Sequence, residues 1–323
     1  MKKEVAIGID IGGTNTEFGI VDKEGNCISY DSIKTDQFED APAFVDALSE
    51  KINSQIKLLK EEFRVKGIGV GAPNGNYFTG NIEFAPNLKW KGVIHLSDLL
   101  EKRMKLQVTL TNDANAAAIG EMYYGAAKGM KDFIVITLGT GLGSGIVVNG
   151  ELLYGHDGFA GELGHTIVDP EGRICGCGKK GCLETYASAT GIKKTVVEML
   201  ENTNEPSILR TFNKTTLNSK EIYLAAQKND KIALDAFEFT GKILGMKLAD
   251  AIAFSSPEAI ILFGGLAKSG EYIFTPTKKY MEHYLLPIFR NKVKLLPSAM
   301  KNENAAVLGA AALTWTHKKR KYT

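Results

Sequence analysis

The chain opens on a short apolar run rich in β-branched residues, Val5-Ala6-Ile7-Gly8-Ile9-Asp10-Ile11, which stops at Gly12-Gly13-Thr14. A run of this length closed by glycine predicts a buried strand entering a tight turn. Strands at 16–21 and 27–33 follow, joined as a hairpin through Asp22-Lys23-Glu24-Gly25-Asn26. Over 41–62 the period becomes helical, with Phe44, Leu48, Ile52, Ile56 and Leu59 forming one stripe. Strands are predicted at 66–70 and 107–110, and an alanine-rich helix at 113–124. The opening pattern then returns: strand 133–138 runs into Gly139-Thr140-Gly141, with a hairpin partner at 145–148. This reads as an internal duplication of one α/β unit. The remainder is more helical, with a helix at 234–253, a strand at 259–263 ended by Gly264-Gly265, and a closing helix at 303–315.

Composition narrows the class without fixing it. A length of 323 residues, 44% of them hydrophobic, suits two domains with substantial cores. No linker rich in Pro, Ser or charge separates the halves, so a close hinge is expected. The net charge of +2 gives no nucleic-acid footprint, and the basic run His317-Lys318-Lys319-Arg320-Lys321 reads as a solvated tail. No stretch approaches the length of a membrane span. The N-terminus lacks an apolar leader, and four cysteines in so long a chain do not make a secreted disulfide framework. A cytoplasmic protein is expected.

Three of those cysteines, Cys175, Cys177 and Cys182, lie within eight residues, and His165 stands ten positions before the first. Together they make a complete tetrahedral zinc set, with free buried thiols as the plainer alternative. Glu162 and Glu184 bracket the set. The two glycine turns, Gly12-Gly13-Thr14 and Gly139-Thr140-Gly141, can bring backbone N–H groups to a phosphate, and Gly264-Gly265 follows a third strand. Neither turn is a P-loop or a dinucleotide fingerprint, and ordinary hairpins share the pattern. Asp10 ends the first strand, where a carboxylate can reach Mg²⁺ through water or cap the turn. Asn112-Asp113 opens a helix, which suits an N-cap and a general base with an orienting amide alike.

In combination these motifs resemble the ROK sugar kinases (repressor, open reading frame, kinase) of the actin-like ATPase superfamily. The resemblance spans nearly the whole chain. It rests on Asp10 to Thr14, on Asn112-Asp113, on the glycines from Gly139 to Gly164, on Glu162-Leu163-Gly164-His165 and on Cys175 to Glu184. It implies an α/β fold of the actin-like, ribonuclease H-like kind, with two domains closing over a cleft. The N-terminal domain would span 1–114, with a C-terminal helix at about 303–323 packing back on it, and the second domain 115–302. ATP with Mg²⁺ would lie on Asp10, Gly12, Gly13, Thr14, Gly139, Thr140, Gly141, Gly264 and Gly265. Asp113 would take the proton of a hexose 6-hydroxyl. Asn87, Asn112, Glu162, His165 and Glu184 would bind the sugar, with Zn²⁺ on His165, Cys175, Cys177 and Cys182 as a structural staple. A homodimer is implied, with no nucleic-acid or membrane partner.

Asn112-Asp113-Ala114-Asn115-Ala116-Ala117 resembles the glucokinase branch most, with kinases of N-acetylmannosamine, N-acetylglucosamine, fructose or allose as neighbours. The family also contains sugar-responsive repressors with an added helix-turn-helix domain. The first strand begins within five residues of Met1, so that reading is not favoured, and a silent sugar-binding regulator would need damaged motifs. Two positions depart from the family pattern. Asn15 stands where lysine is frequent, and Asn74 follows Pro73 where glycine is usual.

Overall fold

The computed structural model describes residues 2–59, 62–300 and 304–316; the basic run 317–321 and the predicted helix start at 303 lie outside them. The first sheet begins with β1 (Lys3–Ile11), β2 (Asn15–Asp22) and β3 (Cys27–Lys34), followed by helix α1 (Ala41–Leu59) and β4 (Phe63–Gly71). A small two-stranded sheet, β5 (Ile82–Glu83) and β6 (Val93–Ile94), precedes α2 (Leu96–Met104), β7 (Val108–Thr111) and α3 (Asp113–Tyr124). The strand order is β3-β2-β1-β4-β7, antiparallel up to β1 and parallel beyond it. Asp22 fixes the β2–β3 turn by accepting the Glu24 and Asn26 amides on Oδ1.

The second sheet has the same plan. It contains β8 (Phe133–Leu138), β9 (Leu142–Val148) and β10 (Glu151–Leu152), then β11 (Ala259–Phe263) and β12 (Lys294–Pro297) after the helices. Its order is β10-β9-β8-β11-β12, with β8–β9 antiparallel and β8–β11–β12 parallel. Between β10 and β11 run α4 (Ala189–Asn202), α5 (Ser219–Gln227) and α6 (Lys231–Ser255); α7 (Glu271–Tyr284) precedes β12, and α8 (Ala305–Ala312) comes last. This is the duplication that the repeated strand-and-glycine pattern points to.

Packing divides the chain into two compact units. One takes residues from 1–130, 152–160 and 299–323, the other from 131–151 and 161–298. In the first unit β1 alternates: Val5, Ile7, Ile9 and Ile11 join the core with Phe44, Leu48 and Ile52 of α1, while Ala6 faces a second core built on α3 and α8. That second face is made for close approach. A methyl group at Gly8 would lie 2.0 Å from the Val307 carbonyl oxygen, and one at Gly69 would lie 1.8 Å from that of Ala310. Gly69→Val should therefore destabilise the protein by about 3 kcal/mol or more, because backbone stands where the side chain would go. A urea melt without a lowered midpoint would contradict this.

The second unit's core joins Ile134, Ile136 and Leu138 of β8 and Ile260 and Leu262 of β11 to buried faces of α4 to α7. Among the described residues no helix is long and apolar enough to cross a membrane.

Candidate active site

In the first unit the site lies at the carboxyl ends of the parallel strands, where open α/β sheets bind ligands. Asp10, Gly71 and Thr111 stand in register across β1, β4 and β7, and Asp113 follows two residues later at the start of α3. A methyl group built on Gly71 would be 3.6 Å from both Asp10 Oδ1 and the Asp113 Cα, which shows how closely the two acids are gathered. Asn112 caps α3, its Oδ1 accepting the Asn115 amide at 2.7 Å. The Ala114 amide donates to Asp113 Oδ1 at 2.9 Å.

Both carboxyls are pushed upward. Asp10 is half-buried; burial first, then the like charges of Asp113 and Glu17, raise it to about 7. Asp113 reaches solvent, yet the protein around its carboxyl holds it above the ordinary carboxylate range, against the opposing Ala114 bond. A carboxyl raised by folding costs stability once ionised, and that cost grows as pH climbs from about 4 to about 7. Asp10→Asn should remove its share of this slope and raise the melting temperature of the ligand-free protein near pH 8. For a rise from 3.8 to about 7 the ceiling is about 4 kcal/mol. Melts of both proteins at about pH 5 and about pH 8 check it, since the gain should be less than half as large at the lower value.

The first glycine turn is closed by its own backbone, with the Gly12 amide donating to the Asn15 carbonyl at 2.9 Å. Asn15 thus serves the turn through its main chain, which the side-chain departure leaves intact. Thr14 is exposed, and its carbonyl accepts the Thr35 amide at 2.8 Å. Asn87 is brought to this turn: a methyl on Gly13 would lie 2.6 Å from the Asn87 carbonyl oxygen. Asn74 adopts φ 50°, a left-handed angle that asparagine tolerates, and its Nδ2 donates to the Glu83 carbonyl at 3.0 Å.

The second unit brings together its own set. The Gly139 amide donates to the Gly141 carbonyl at 3.1 Å. The start of α4 holds the turn from outside, through Ala189 N–H to the Gly139 carbonyl at 2.9 Å and Thr190 Oγ1 to the Thr140 carbonyl at 2.6 Å. Gly141 lies close against Glu184: a methyl there would be 2.6 Å from Glu184 Oε2. The other oxygen, Glu184 Oε1, is 2.9 Å from Cys175 Sγ and 3.8 Å from His165 Nδ1. Glu184 therefore stands between the glycine turn and the cysteine cluster. Gly264, at φ 103°, packs on the Leu138 backbone at the same strand ends, with Gly265 beside it.

His165, Cys175, Cys177 and Cys182 place one donor atom each within 4.8 Å of one another. Tetrahedral Zn–S bonds of about 2.3 Å imply S···S edges of about 3.8 Å. Cys177 and Cys182 sulfurs are 3.6 Å apart, and Cys175 Sγ is 3.7 Å from His165 Nδ1. The donor set fits a tetrahedral metal. Nδ1 faces the sulfurs, whereas Nε2 lies 3.8 Å from Glu162 Oε2, so the imidazole can serve metal and ligand with different nitrogens.

Two parts of this arrangement carry no pattern in the sequence. The carbonyl contacts of Ala189 and Thr190 follow from a serine N-cap, Ser188, that looks like any other. The contact of Glu184 with Gly141 joins residues 43 apart and becomes visible only in three dimensions.

Two α/β units of one topology, with glycine turns at matching strand ends and an acid at the tip of the first central strand, define the two-domain actin-like ATPase class. The chain belongs to the ROK family, which it matches over residues 6–317. It is 37% identical over 315 residues to a glucokinase of Halalkalibacterium halodurans, covering 95% of this chain and 94% of that one. A ROK family glucokinase from Streptomyces griseus, solved in complex with glucose and AMPPNP, matches with a TM-score of 0.80 at 35% identity, over 96% of this chain and 98% of that one. A ROK family transcriptional regulator, a homolog of the E. coli MLC protein, matches with a TM-score of 0.86 at 27% identity, over 97% of this chain and 78% of its own.

Proposed function

We propose that the chain is an ATP-dependent hexokinase that phosphorylates glucose at its 6-hydroxyl, with Asp113 as the general base. The observation that carries the reading is the pairing of Asp113 with Asp10 at the strand ends, in a chain similar along its full length to glucokinases. Asp113 Oδ1 accepts the Ala114 amide, which fixes the carboxylate that receives the proton of the sugar hydroxyl. The freed oxygen attacks the γ-phosphorus, the bond to the β-phosphate oxygen breaks, and ADP leaves with that electron pair. Asn87, Asn112, Glu162, His165 and Glu184 hold the remaining hydroxyls. The turns at 12–14, 139–141 and 264–265 carry the nucleotide.

Asp10 offers the oxygen donor that Mg²⁺ prefers and would hold it through water; bound there, Mg²⁺ offsets charge on the phosphates. Zn²⁺ would occupy the histidine–cysteine site as a structural ion, keeping Glu184 and His165 in place. A cytoplasmic homodimer belongs to the same reading, in keeping with the family resemblance.

The test is ADP release from MgATP across hexoses, N-acetylhexosamines and fructose. Fastest turnover on glucose is expected. Faster turnover on another sugar would keep the chemistry and change the substrate. Sugar binding without turnover would favour a regulator, for which the likeness to the ROK regulator stands.

A further inference from the structure

Arg173 lies two positions before Cys175 in the cysteine-bearing segment, and its side chain is only 10% exposed. Its Nε donates to Glu198 Oε1 at 2.8 Å, and Nη2 to Glu198 Oε2 and to Thr195 Oγ1, the latter at 2.9 Å. Nη1 donates to the carbonyls of Thr185 at 2.7 Å and Gly191 at 3.2 Å. A guanidinium has five N–H donors, and these five bonds engage all of them. Its face lies over the Tyr186 ring, 4.4 Å from the centroid, and the Tyr186 hydroxyl accepts the Arg173 amide at 3.0 Å. Exposed ion pairs do not look like this. Such a site needs a planar fork, which lysine cannot supply.

The groups in its grip explain the effort. Thr185 directly follows Glu184. Gly191 directly follows Ala189 and Thr190, the pair that bonds the Gly139 and Thr140 carbonyls. One guanidinium thus ties the cysteine segment, the sugar-side carboxylate and the nucleotide-side turn together. We infer that Arg173 is a positioning residue that holds Glu184 and the 139–141 turn in one fixed relation, so that its loss weakens both substrates at once. The inference rests on the hexokinase reading of those two elements.

Arg173→Lys keeps the charge and removes the fork. KM for glucose and KM for MgATP should each rise roughly 10-fold, the scale seen when a group supporting a ligand contact is lost, with kcat reduced less. Metal content and cooperative melting should match wild type. Glu198→Gln loosens the same guanidinium from its solvent side and should move both constants the same way by a smaller factor, which keeps the test open if Arg173→Lys does not fold. Unchanged KM values in a folded Arg173→Lys, or a rise in only one of them, would overturn the inference. So would unchanged values in Glu198→Gln, should it be the variant that folds. Wild-type protein inactive on glucose would overturn the hexokinase reading instead. Arg173 would then be judged by calorimetric binding of glucose and of a non-hydrolysable ATP analogue to the same variants, where wild-type affinities count against it.

Discussion

Asp113→Asn should lower kcat by a factor of about 10²–10⁴ while leaving the fold and the affinity for glucose nearly unchanged. The fold should survive because the substitution keeps what holds α3. Asn112 remains the N-cap, and an amide oxygen at 113 can still accept the Ala114 N–H. On the proposed reading, what disappears is the oxygen that carries the proton away from the sugar. The pH dependence separates this from a packing defect. A base must be ionised to act, and Asp113 is held above the ordinary carboxylate range, so the acidic limb of wild-type kcat/KM should lie higher than a free aspartate would place it. That limb should be absent from the residual activity of Asp113→Asn. A variant with wild-type kcat would remove Asp113 from the chemistry.

Cys182→Ser should abolish stoichiometric zinc and raise KM for glucose by about 10–100-fold. Cys182 is buried, with its sulfur 3.6 Å from that of Cys177 and 3.8 Å from the His165 carbonyl oxygen. A structural zinc contributes on the order of 10 kcal/mol in peptides that have no other core. Here the segment is attached to a unit with its own large apolar core, so the loss should loosen 161–185 locally instead of unfolding the protein. Metal analysis and sugar titrations on one preparation check this. Full glucose affinity at zero zinc would show that Glu184 and His165 hold their places without the ion.

Legibility in the sequence followed the strength of local signals. Strand 133–138, strand 259–263 and helix 113–124 have the predicted bounds, because an apolar run ended by glycine and an alanine-rich run begun by Asn-Asp are unambiguous. Helix α7 left no such trace. Pro276 lies inside it and reads as a breaker, yet the ring packs beside Gly241 of α6, where tertiary contact outweighs the lost backbone bond. The two-residue strands β5 and β6 are too short for any period to show. At the site, the residue types were legible, since acids, glycines and metal donors declare themselves by identity and spacing. The relations among them were not. That Asn87 abuts Gly13, or that Arg173 reaches Thr185 and Gly191, depends on folding across intervals without sequence periodicity.

The placement of α8 bears on how the molecule is made. Translation delivers residues 131–151 and 161–298, the whole of the second unit, before the helix at 305–312 that covers Gly8 and Gly69. At about 5–20 residues per second, β1 waits some tens of seconds for its cover. The second unit can therefore finish folding on the ribosome while the first still shows an apolar sheet face. The early-made sheet of the first unit is thus covered late, and it is a part that a nascent-chain chaperone would find open.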